Sequence, residues 1–525
     1  MDKKLHIETS IRSLYSYLED LKIGIMQIPA FQRGFVWERD DIKDLFDSIK
    51  NSYPIGSILL WKPNEPHWKS QDIIGSYYIP KQGNDPIYVL DGFQRLSSLF
   101  GCLTNPNKVG LIYDKNQRNE YFDLYYDLED EIFIYLRSGA KKLSWQLPIY
   151  ILMSSSDFRQ YSRTEIEPWV SADKIDIYLD RADKLSRIFL DYKIASIEIR
   201  NANIEEAVEI FSRINSKGTE ISFDWMVNAL SISSDFSFGD EIDKLINELN
   251  VYNFDNIKRD VVFRCIQSSF GKLYIDQTNI EGLAKRSDFA EITKATIPFI
   301  KKAVCFIYNE LNILDSKLLP YNIQLIFIMD FFKKINNPTK KQINDLKKWF
   351  WITTYSNYFT LYSLSNQRKA YDCFHEYLKG NSDDPLFSDN KNLKFKISSF
   401  PEKITMGSVR AKALILFLLN YSSNFVNKTK SSGFFIQKLF QNENNVANLV
   451  PMVENENSYK YKKNKDLSND LESFLNNNEC DILFTEEMYD LYKQHEINKI
   501  LGIRKALIQS KEKEFVTSLG LDYVD

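Results

Sequence analysis

The stretch Tyr88-Val89-Leu90-Asp91-Gly92-Phe93-Gln94-Arg95-Leu96 joins a short apolar run of strand length to a helical pattern. A strand that ends in Asp-Gly and passes into a helix leaves the N–H groups of the first helical turn unpaired and partly positive. Glycine permits a close backbone approach, and arginine adds donors suited to phosphate oxygens. The junction therefore predicts a nucleotide or phosphate site at Gly92 and Arg95. Asp91 and Gln94 are the candidate catalytic residues, because they could position a metal ion or water.

The same junction has a structural interpretation. An aspartate that caps a helix, followed by a surface arginine, occurs in many α/β proteins. Taken alone, the motif favours this plainer interpretation over a phosphate site. What favours function is that two further segments ahead of residue 235 also place an arginine at the end of a regular element.

Those two segments are IPAFQRGFVW, residues 28–37, and FSRINSKGT, residues 211–219. The first sets Gln32 and Arg33 between aromatic residues, just ahead of a predicted helix. The second ends a predicted helix with Arg213 and Asn215 and continues into a glycine-containing turn. We expect Arg33 and Arg95 to contact phosphates with Gln32 beside them, and Arg213 with Asn215 to complete one concave site.

The set IPAFQRGFVW, DGFQRLSSL and FSRINSKGTEIS resembles the N-terminal domain family of GmrSD-type restriction enzymes over roughly residues 1–230. That family also occurs in SspE-like phage-defence proteins, and its fold is related to ParB and sulfiredoxin. The resemblance implies nucleotide binding, often with hydrolysis, and a role in sensing modified or foreign DNA. Phe93 departs from the family pattern, which usually has a glutamine there. If that side chain touches the nucleotide or orients water, turnover is reduced in this chain.

Periodicity predicts the wider organisation. Helices are expected at residues 40–51, 173–192 and 204–214, and a strand at residues 194–199. Beyond about residue 222 the pattern is nearly all helical until about residue 425. The predicted fold class is α+β, with a ParB/sulfiredoxin-like α/β N-terminal domain followed by a large, mostly α-helical C-terminal part. The predicted domains are a ParB-like nucleotide-binding domain, a helical domain and a nuclease-like helical region, at residues 1–235, 236–400 and 401–525.

The last of these regions resembles a His-Me finger nuclease, a second domain that members of this family often carry. A helix at residues 408–421 and the Asn-Leu segment VANLVP at residues 446–451 fit that framework. Where the histidines should lie, the chain has SGFFIQK, residues 432–438. Histidine is the general base that activates water in this nuclease class. The resemblance therefore implies a degenerate, inactive nuclease; the alternative is a chance likeness in a helical tail.

Charge and composition exclude several other functions. Lys and Arg number 67 against 71 Asp and Glu, so a global basic field for nucleic acid is absent. Five scattered cysteines without a close pair argue against a disulfide framework and against a CxxC zinc site, and four histidines without ligand spacing argue against chemistry that relies on several histidines. One local basic cluster with an interleaved tyrosine suits DNA phosphates and stacking, although a charge run is more often a solvated loop. Its lysines are Lys460, Lys462, Lys463 and Lys465.

Together with the three motifs, the resemblance to this family implies a bacterial antiphage or restriction-type defence protein that binds a nucleoside triphosphate, with Mg²⁺ left open, to sense or act on foreign or modified DNA. The alternative is a non-catalytic nucleotide- or DNA-sensing subunit that regulates a separate effector nuclease. Whether the nucleotide is hydrolysed stays open, as does a homo-oligomer. No apolar run reaches the length of about 20 residues that a membrane span needs, and the first residues lack a signal-peptide core, so we expect a cytoplasmic protein.

Overall fold

The chain forms two compact units, Met1–Ser234 and Asp235–Asp525. The computed structural model describes residues 5–523 except 33, 64–67, 82–84, 107–119, 138–140, 216–222, 232–235, 272–279, 362, 389–396, 398, 424–431, 442–444, 455–457 and 477–481. The three-domain division stays a prediction, and its second boundary, near residue 400, lies inside the second unit.

A five-stranded sheet with the order β1-β10-β3-β6-β2 organises the N-terminal unit. Strand β1 pairs antiparallel with β10, β10 parallel with β3, β3 antiparallel with β6, and β6 parallel with β2. These five strands are β1 (His6–Ser13), β2 (Met26–Gln27), β3 (Ile58–Pro63), β6 (Ile87–Asp91) and β10 (Lys193–Ala202). Two small sheets complete the unit, formed by β4 (Ile73–Ile74) with β5 (Tyr77–Tyr78), and by β7 (Tyr125–Asp127), β8 (Ile132–Ile134) and β9 (Gln146–Pro148).

Helices cover the central strands of the sheet on both faces. Successive side chains of β3 and β6 point to opposite faces and are apolar on both, so each face is buried in a separate hydrophobic core. Ile58, Leu60 and Val89 join the core formed with α1, α2, α3 and α5. Leu59 and Leu90 join the core formed with α6 and α7. The helices of this unit are α1 (Leu14–Lys22), α2 (Arg39–Lys50), α3 (Phe93–Leu103), α4 (Ser155–Tyr161), α5 (Ala172–Asp191), α6 (Ile204–Asn215) and α7 (Phe223–Ser231).

The second unit is mainly helical and contains a β-hairpin, β11 (Phe434–Lys438) with β12 (Leu449–Val453). Its longer helices are α8 (Phe238–Leu249), α9 (Arg259–Ser269), α11 (Phe289–Leu311), α12 (Asn322–Lys334), α13 (Lys340–Tyr355), α15 (Leu364–Leu378), α16 (Val409–Ser423) and α20 (Ile497–Ser518). Its shorter helices are α10 (Ile280–Ala284), α14 (Tyr358–Leu361), α17 (Tyr459–Lys462), α18 (Leu471–Asn476) and α19 (Glu486–Lys493). The predicted class, mixed α and β followed by a helical part, is confirmed. Within the described ranges, no helix combines the length and apolarity needed to cross a membrane.

Candidate functional site

The first two motifs meet at one end of the central sheet. Strands β2 and β6 are parallel neighbours, so their carboxyl ends lie side by side. Residues 28–37 follow β2, and Asp91-Gly92 ends β6 and leads into α3. In open α/β sheets, ligands bind outside the carboxyl ends of the strands. Chain topology therefore brings the two Gln-Arg segments to the place where a ligand site is expected.

Two glutamines fasten these segments to each other. The Gln32 side-chain amide donates to the carbonyls of Val89 and Leu90, at 3.2 and 2.6 Å, near the end of β6. In return, Gln94 Oε1 accepts from the Val36 N–H at 2.9 Å, and its Nε2 donates to the Gly34 carbonyl at 3.0 Å. Gly34 and Val36 are therefore held beside the start of α3. The structure gives both glutamines a positioning role that sequence reasoning did not foresee.

The Asp-Gly junction has the geometry that the sequence predicts. Gly92 adopts φ 96° directly before α3, a left-handed conformation that glycine adopts without steric cost. Arg95, in the first turn, donates to the Ile55 carbonyl at 2.7 Å and to Asp91 Oδ2 at 3.2 Å. Its side chain is only 17% exposed, whereas that of Asp91 is 44% exposed. Arg95 thus links the α3 terminus to the turn that precedes β3, and the Asp91 carboxylate faces solvent in part.

Gly56, in that turn, is a residue of the site that sequence reasoning missed. It has φ 85°, and a Cβ built on it would lie 2.6 Å from Arg95 Nη1. Gly56→Ala is expected to destabilise the chain by about 1–2 kcal/mol through the left-handed backbone alone, and to displace Arg95 as well. Thermal unfolding of the full chain measures the loss. Gly34→Ala is the matched control, because a Cβ there meets no atom within 4 Å; equal melting temperatures for the two variants would contradict the prediction.

Phe93 is a core residue here and not part of the polar site. Its side chain is 6% exposed and packs in the cluster shared with α1 and α2. The family pattern raised the condition that the side chain at position 93 touches the nucleotide or orients water. In this chain Phe93 packs into the hydrophobic core, so its identity affects packing before it affects a ligand.

The third motif reaches the same end of the sheet from the opposite face. Because only Asn203 separates β10 from α6, the helix turns back along the sheet, where Phe211 packs in one cluster with Phe31 and Leu90. The last turn of α6 is therefore directed toward the carboxyl end of β6. Arg213 in that turn is 78% exposed and donates to Glu209 at 2.5 Å.

Arg33 and the side chain of Asn215 lie outside the described residues. The meeting of Arg33, Arg95 and Arg213 in one pocket therefore stays a prediction. One further contact supports it, from the element that follows the third motif. Asn228, buried on α7, donates to the Phe31 carbonyl at 3.2 Å and so ties α7 to the first motif. No sequence signal marked Asn228, because a lone asparagine in an apolar helix has no characteristic spacing.

The segment of the second unit that was compared with a His-Me finger nuclease forms the hairpin β11–β12, followed by the short helix α17, and the likeness to a nuclease stays a prediction. Asn448 is fully buried, and its side chain both donates to and accepts from the Phe440 backbone at 2.8 Å, which closes the connection between β11 and β12. Gln437 on β11 donates to the Asn464 carbonyl at 2.9 Å, just beyond α17. A Cβ on Gly433 would approach the Glu454 carboxylate at 3.0 Å. The start of β11, where the comparison with a nuclease places histidines, thus has the apolar residues Phe434, Phe435 and Ile436, and the Glu454 carboxylate lies beside Gly433.

The basic cluster adjoins this hairpin. Lys462, Lys463 and Lys465 are exposed, and Lys462 pairs with Glu454 at 2.7 Å; the side chain of Lys460 lies outside the described residues. No group of three His, Cys, Asp or Glu side chains suited to a metal ion occurs in the part of the chain that the structure describes. An exposed lysine run is compatible with phosphate contact, and the pairing of Lys462 lowers the positive charge that it offers.

Taken together, the N-terminal unit is a mixed α/β domain with two fastened Gln-Arg motifs at the carboxyl ends of parallel strands. Residues 14–232 match the family of the GmrSD restriction endonuclease N-terminal domain, which confirms the resemblance seen in the three motifs. The chain is also similar to an uncharacterized protein of Methanocaldococcus jannaschii, with 23% identity. The similarity covers 98% of this chain and the whole of that protein. The family match supports a phage-defence role of the restriction type, and with it an interaction with DNA.

Proposed function

We propose that the N-terminal unit binds a nucleoside triphosphate at the carboxyl ends of β2 and β6, and that binding lets a restriction-type defence protein sense or act on foreign or modified DNA. The observation that carries the proposal is the reciprocal fastening by Gln32 and Gln94. It holds Gly34 and Val36, which follow Arg33 in the sequence, beside the N-terminus of α3, where anions are stabilised. The match of residues 14–232 to a restriction-enzyme domain supports the same function.

The residues at this end of the sheet suit a triphosphate with or without a bound cation. The first N–H groups of α3 have no partner within the helix and carry partial positive charge, which suits phosphate oxygens. Arg95 lies in the same turn, and Arg33 follows Gln32 directly. The partly exposed Asp91 carboxylate would hold Mg²⁺, which would neutralise phosphate charge when bound. Gln94 positions the backbone of the first motif and so acts through that segment.

Arg95→Ala is expected to weaken nucleotide binding by one to two orders of magnitude. A charge-assisted hydrogen bond contributes roughly 1.5–3 kcal/mol, which corresponds to that change in affinity. The variant also loses the bond to Ile55, so its melting temperature is measured beside calorimetric titration. Arg187→Ala, which removes an exposed arginine paired on α5, is the control and should bind normally. Unchanged affinity in folded Arg95→Ala would refute the assignment.

The proposal extends to DNA through the second unit. Residues 235–525 contain 39 Lys and Arg against 37 Asp and Glu, whereas residues 1–234 contain 28 against 34. The second unit, which carries Lys462, Lys463 and Lys465, therefore has a small excess of basic residues, whereas the first unit has an excess of acidic residues. Long-range attraction to the phosphate backbone favours the less acidic unit as the DNA-contacting part.

A second candidate function is a sensor that regulates a separate effector nuclease. The observation that favours it is the hairpin β11–β12, where SGFFIQK replaces the expected histidines. Incubating the full chain with each nucleoside triphosphate, with and without DNA, separates the two candidates. Release of phosphate supports an intrinsic activity, and binding without turnover supports the sensor. Failure to bind any nucleotide would contradict the first candidate and would leave only a DNA-sensing form of the second.

A further inference from the structure

Strand β1 forms one edge of the central sheet. It pairs with β10 alone among the described strands, and its eight residues are exposed or only partly buried. Edge strands offer unpaired N–H and C=O groups to another chain, and proteins usually protect them with proline, lysine or a β-bulge. The segment HIETSIRS contains neither residue, and its register with β10 runs without a bulge over its whole length. Among the described residues, no proline, lysine or bulge interrupts this edge, and its acidic and basic side chains, Glu8 and Arg12, are of opposite sign.

The backbone register shows which residues face outward. The Leu14 N–H donates to the Tyr192 carbonyl at 2.8 Å, and this pair continues the register of β1 with β10. Because hydrogen-bonded pairs alternate along an antiparallel ladder, the even-numbered residues of β1 bond to β10. The N–H and C=O groups of Ile7, Thr9 and Ile11 consequently point toward the free edge.

The same odd-numbered residues carry exposed apolar side chains. Ile7 is 48% and Ile11 is 70% exposed, and both lie on one face of the strand. Ala195, the β10 partner of Ile11, is exposed on that face as well. A row of free backbone groups thus coincides with an apolar strip, the combination used when a strand is added to a sheet.

We propose that the occupant of this edge is β1 of a second copy, paired antiparallel about a two-fold axis at Ser10. This register sets Glu8 of each strand opposite Arg12 of the other, and opposite charges at facing positions stabilise a strand pair. If the axis passed through Glu8, the two Glu8 carboxylates would face each other. If it passed through Thr9, Glu8 would lie opposite Ser10, which carries no charge. Charge complementarity therefore favours an axis at Ser10. In this arrangement the two five-stranded sheets form one continuous sheet of ten strands.

The side chains available for this pairing are already partly ordered. Arg12 bonds to Asp20 at 2.6 Å and Glu8 to Arg200 at 3.1 Å, with the Arg12 side chain 32% exposed. A second copy would extend these two pairs into a network across the interface. Networks hold their charged side chains at a lower conformational cost per pair than isolated surface pairs do.

Light scattering coupled to size exclusion tests the proposal on the full chain. The native protein is expected to have twice the 61.7 kDa chain mass. Thr9→Pro removes an outward N–H without touching the β10 ladder, and Ile11→Lys places a charge in the apolar strip; each is expected to give monomers. Ile177→Lys, at an exposed isoleucine on α5, is the control and should remain dimeric. A monomeric native chain, or a dimer unaffected by both β1 variants, would overturn the proposal.

A cysteine scan tests the register separately. At a two-fold axis only the central residue faces its own copy, and facing Cβ atoms in a non-hydrogen-bonded pair approach disulfide distance. Ser10→Cys is therefore expected to give covalent dimers under mild oxidation, and Thr9→Cys is not. Crosslinking through Thr9→Cys alone would overturn the axis at Ser10.

Discussion

Glu512→Ala is expected to lower the free energy of unfolding of the C-terminal unit by about 3–5 kcal/mol, because it leaves a buried arginine without its counter-ion. Glu512 on α20 is fully buried, and its two oxygens accept from Arg410 Nη1 and Nη2 at 2.8 and 2.6 Å. The hydroxyls of Tyr355 and Tyr523 donate to the same carboxylate at 3.0 Å. Burial raises the pKa of Tyr355 above its ordinary value, and the charge of the Glu512 carboxylate raises this pKa further. The Tyr355 hydroxyl therefore keeps its proton and donates it to the carboxylate in a hydrogen bond.

Hydrogen exchange followed by mass spectrometry measures this loss, because two units in one chain do not unfold in a single step. Amides of α16 and α20 that exchange only when the unit unfolds are expected to exchange at least a hundredfold faster in Glu512→Ala. Glu514→Ala is the matched control, since Glu514 pairs with Lys511 at the surface of the same helix. Its effect should stay within about 0.5 kcal/mol. Equal exchange in the two variants would show that the Arg410–Glu512 pair does not hold α16 to α20.

The full chain is expected to leave plasmid DNA intact with any divalent metal. A positioned general base contributes about 10²- to 10⁴-fold to rate, and β11, where the likeness to a nuclease requires that base, has the sequence FFIQK without a histidine. The experiment uses the full chain, because Asn253 and Tyr308 both donate to the Ser432 carbonyl. A fragment that begins near residue 400 would lose these contacts with the start of the hairpin.

Metal-dependent nicking that co-elutes with the chain through successive columns would contradict this prediction. A contaminating nuclease would instead separate from the protein peak. The Gly433→Ala variant provides a further check, because its Cβ would crowd the Glu454 carboxylate. Nicking that changes in this variant would place the activity at the hairpin itself.

The sequence predicted the regular elements well where periodicity was strong. The helix expected at residues 40–51 is α2 at Arg39–Lys50, and the one expected at residues 173–192 is α5 at Ala172–Asp191. Apolar spacing identifies such amphipathic helices because one face must be buried. The pairing order of the strands was beyond sequence reasoning, since β1 and β10 are joined across some 180 residues by contacts that leave no local pattern.

In the candidate site, too, local features were predictable from the sequence and long-range contacts were not. The strand–Gly92–helix junction was readable because backbone conformation at Asp-Gly is a local property. The partners of Gln32 and Gln94 were not, because each side chain bonds to backbone some 60 residues away. Arg95 was expected to contact phosphate, which stays a prediction, and the structure shows that it donates to the Ile55 carbonyl. A polar motif in a sequence does not distinguish a residue that contacts a ligand from one that positions the segment beside it.

Calorimetric titration of the full chain with each nucleoside triphosphate, in the presence of Mg²⁺, tests the central proposal most directly. One nucleotide is expected to bind per chain. Gln94→Ala is expected to weaken that binding, because the backbone of Gly34, Val36 and Trp37, which Gln94 holds by hydrogen bonds, would lose its position. Binding that survives intact in both Gln94→Ala and Arg95→Ala, or no binding of any nucleotide to the native chain, would contradict a nucleotide site at the carboxyl ends of β2 and β6.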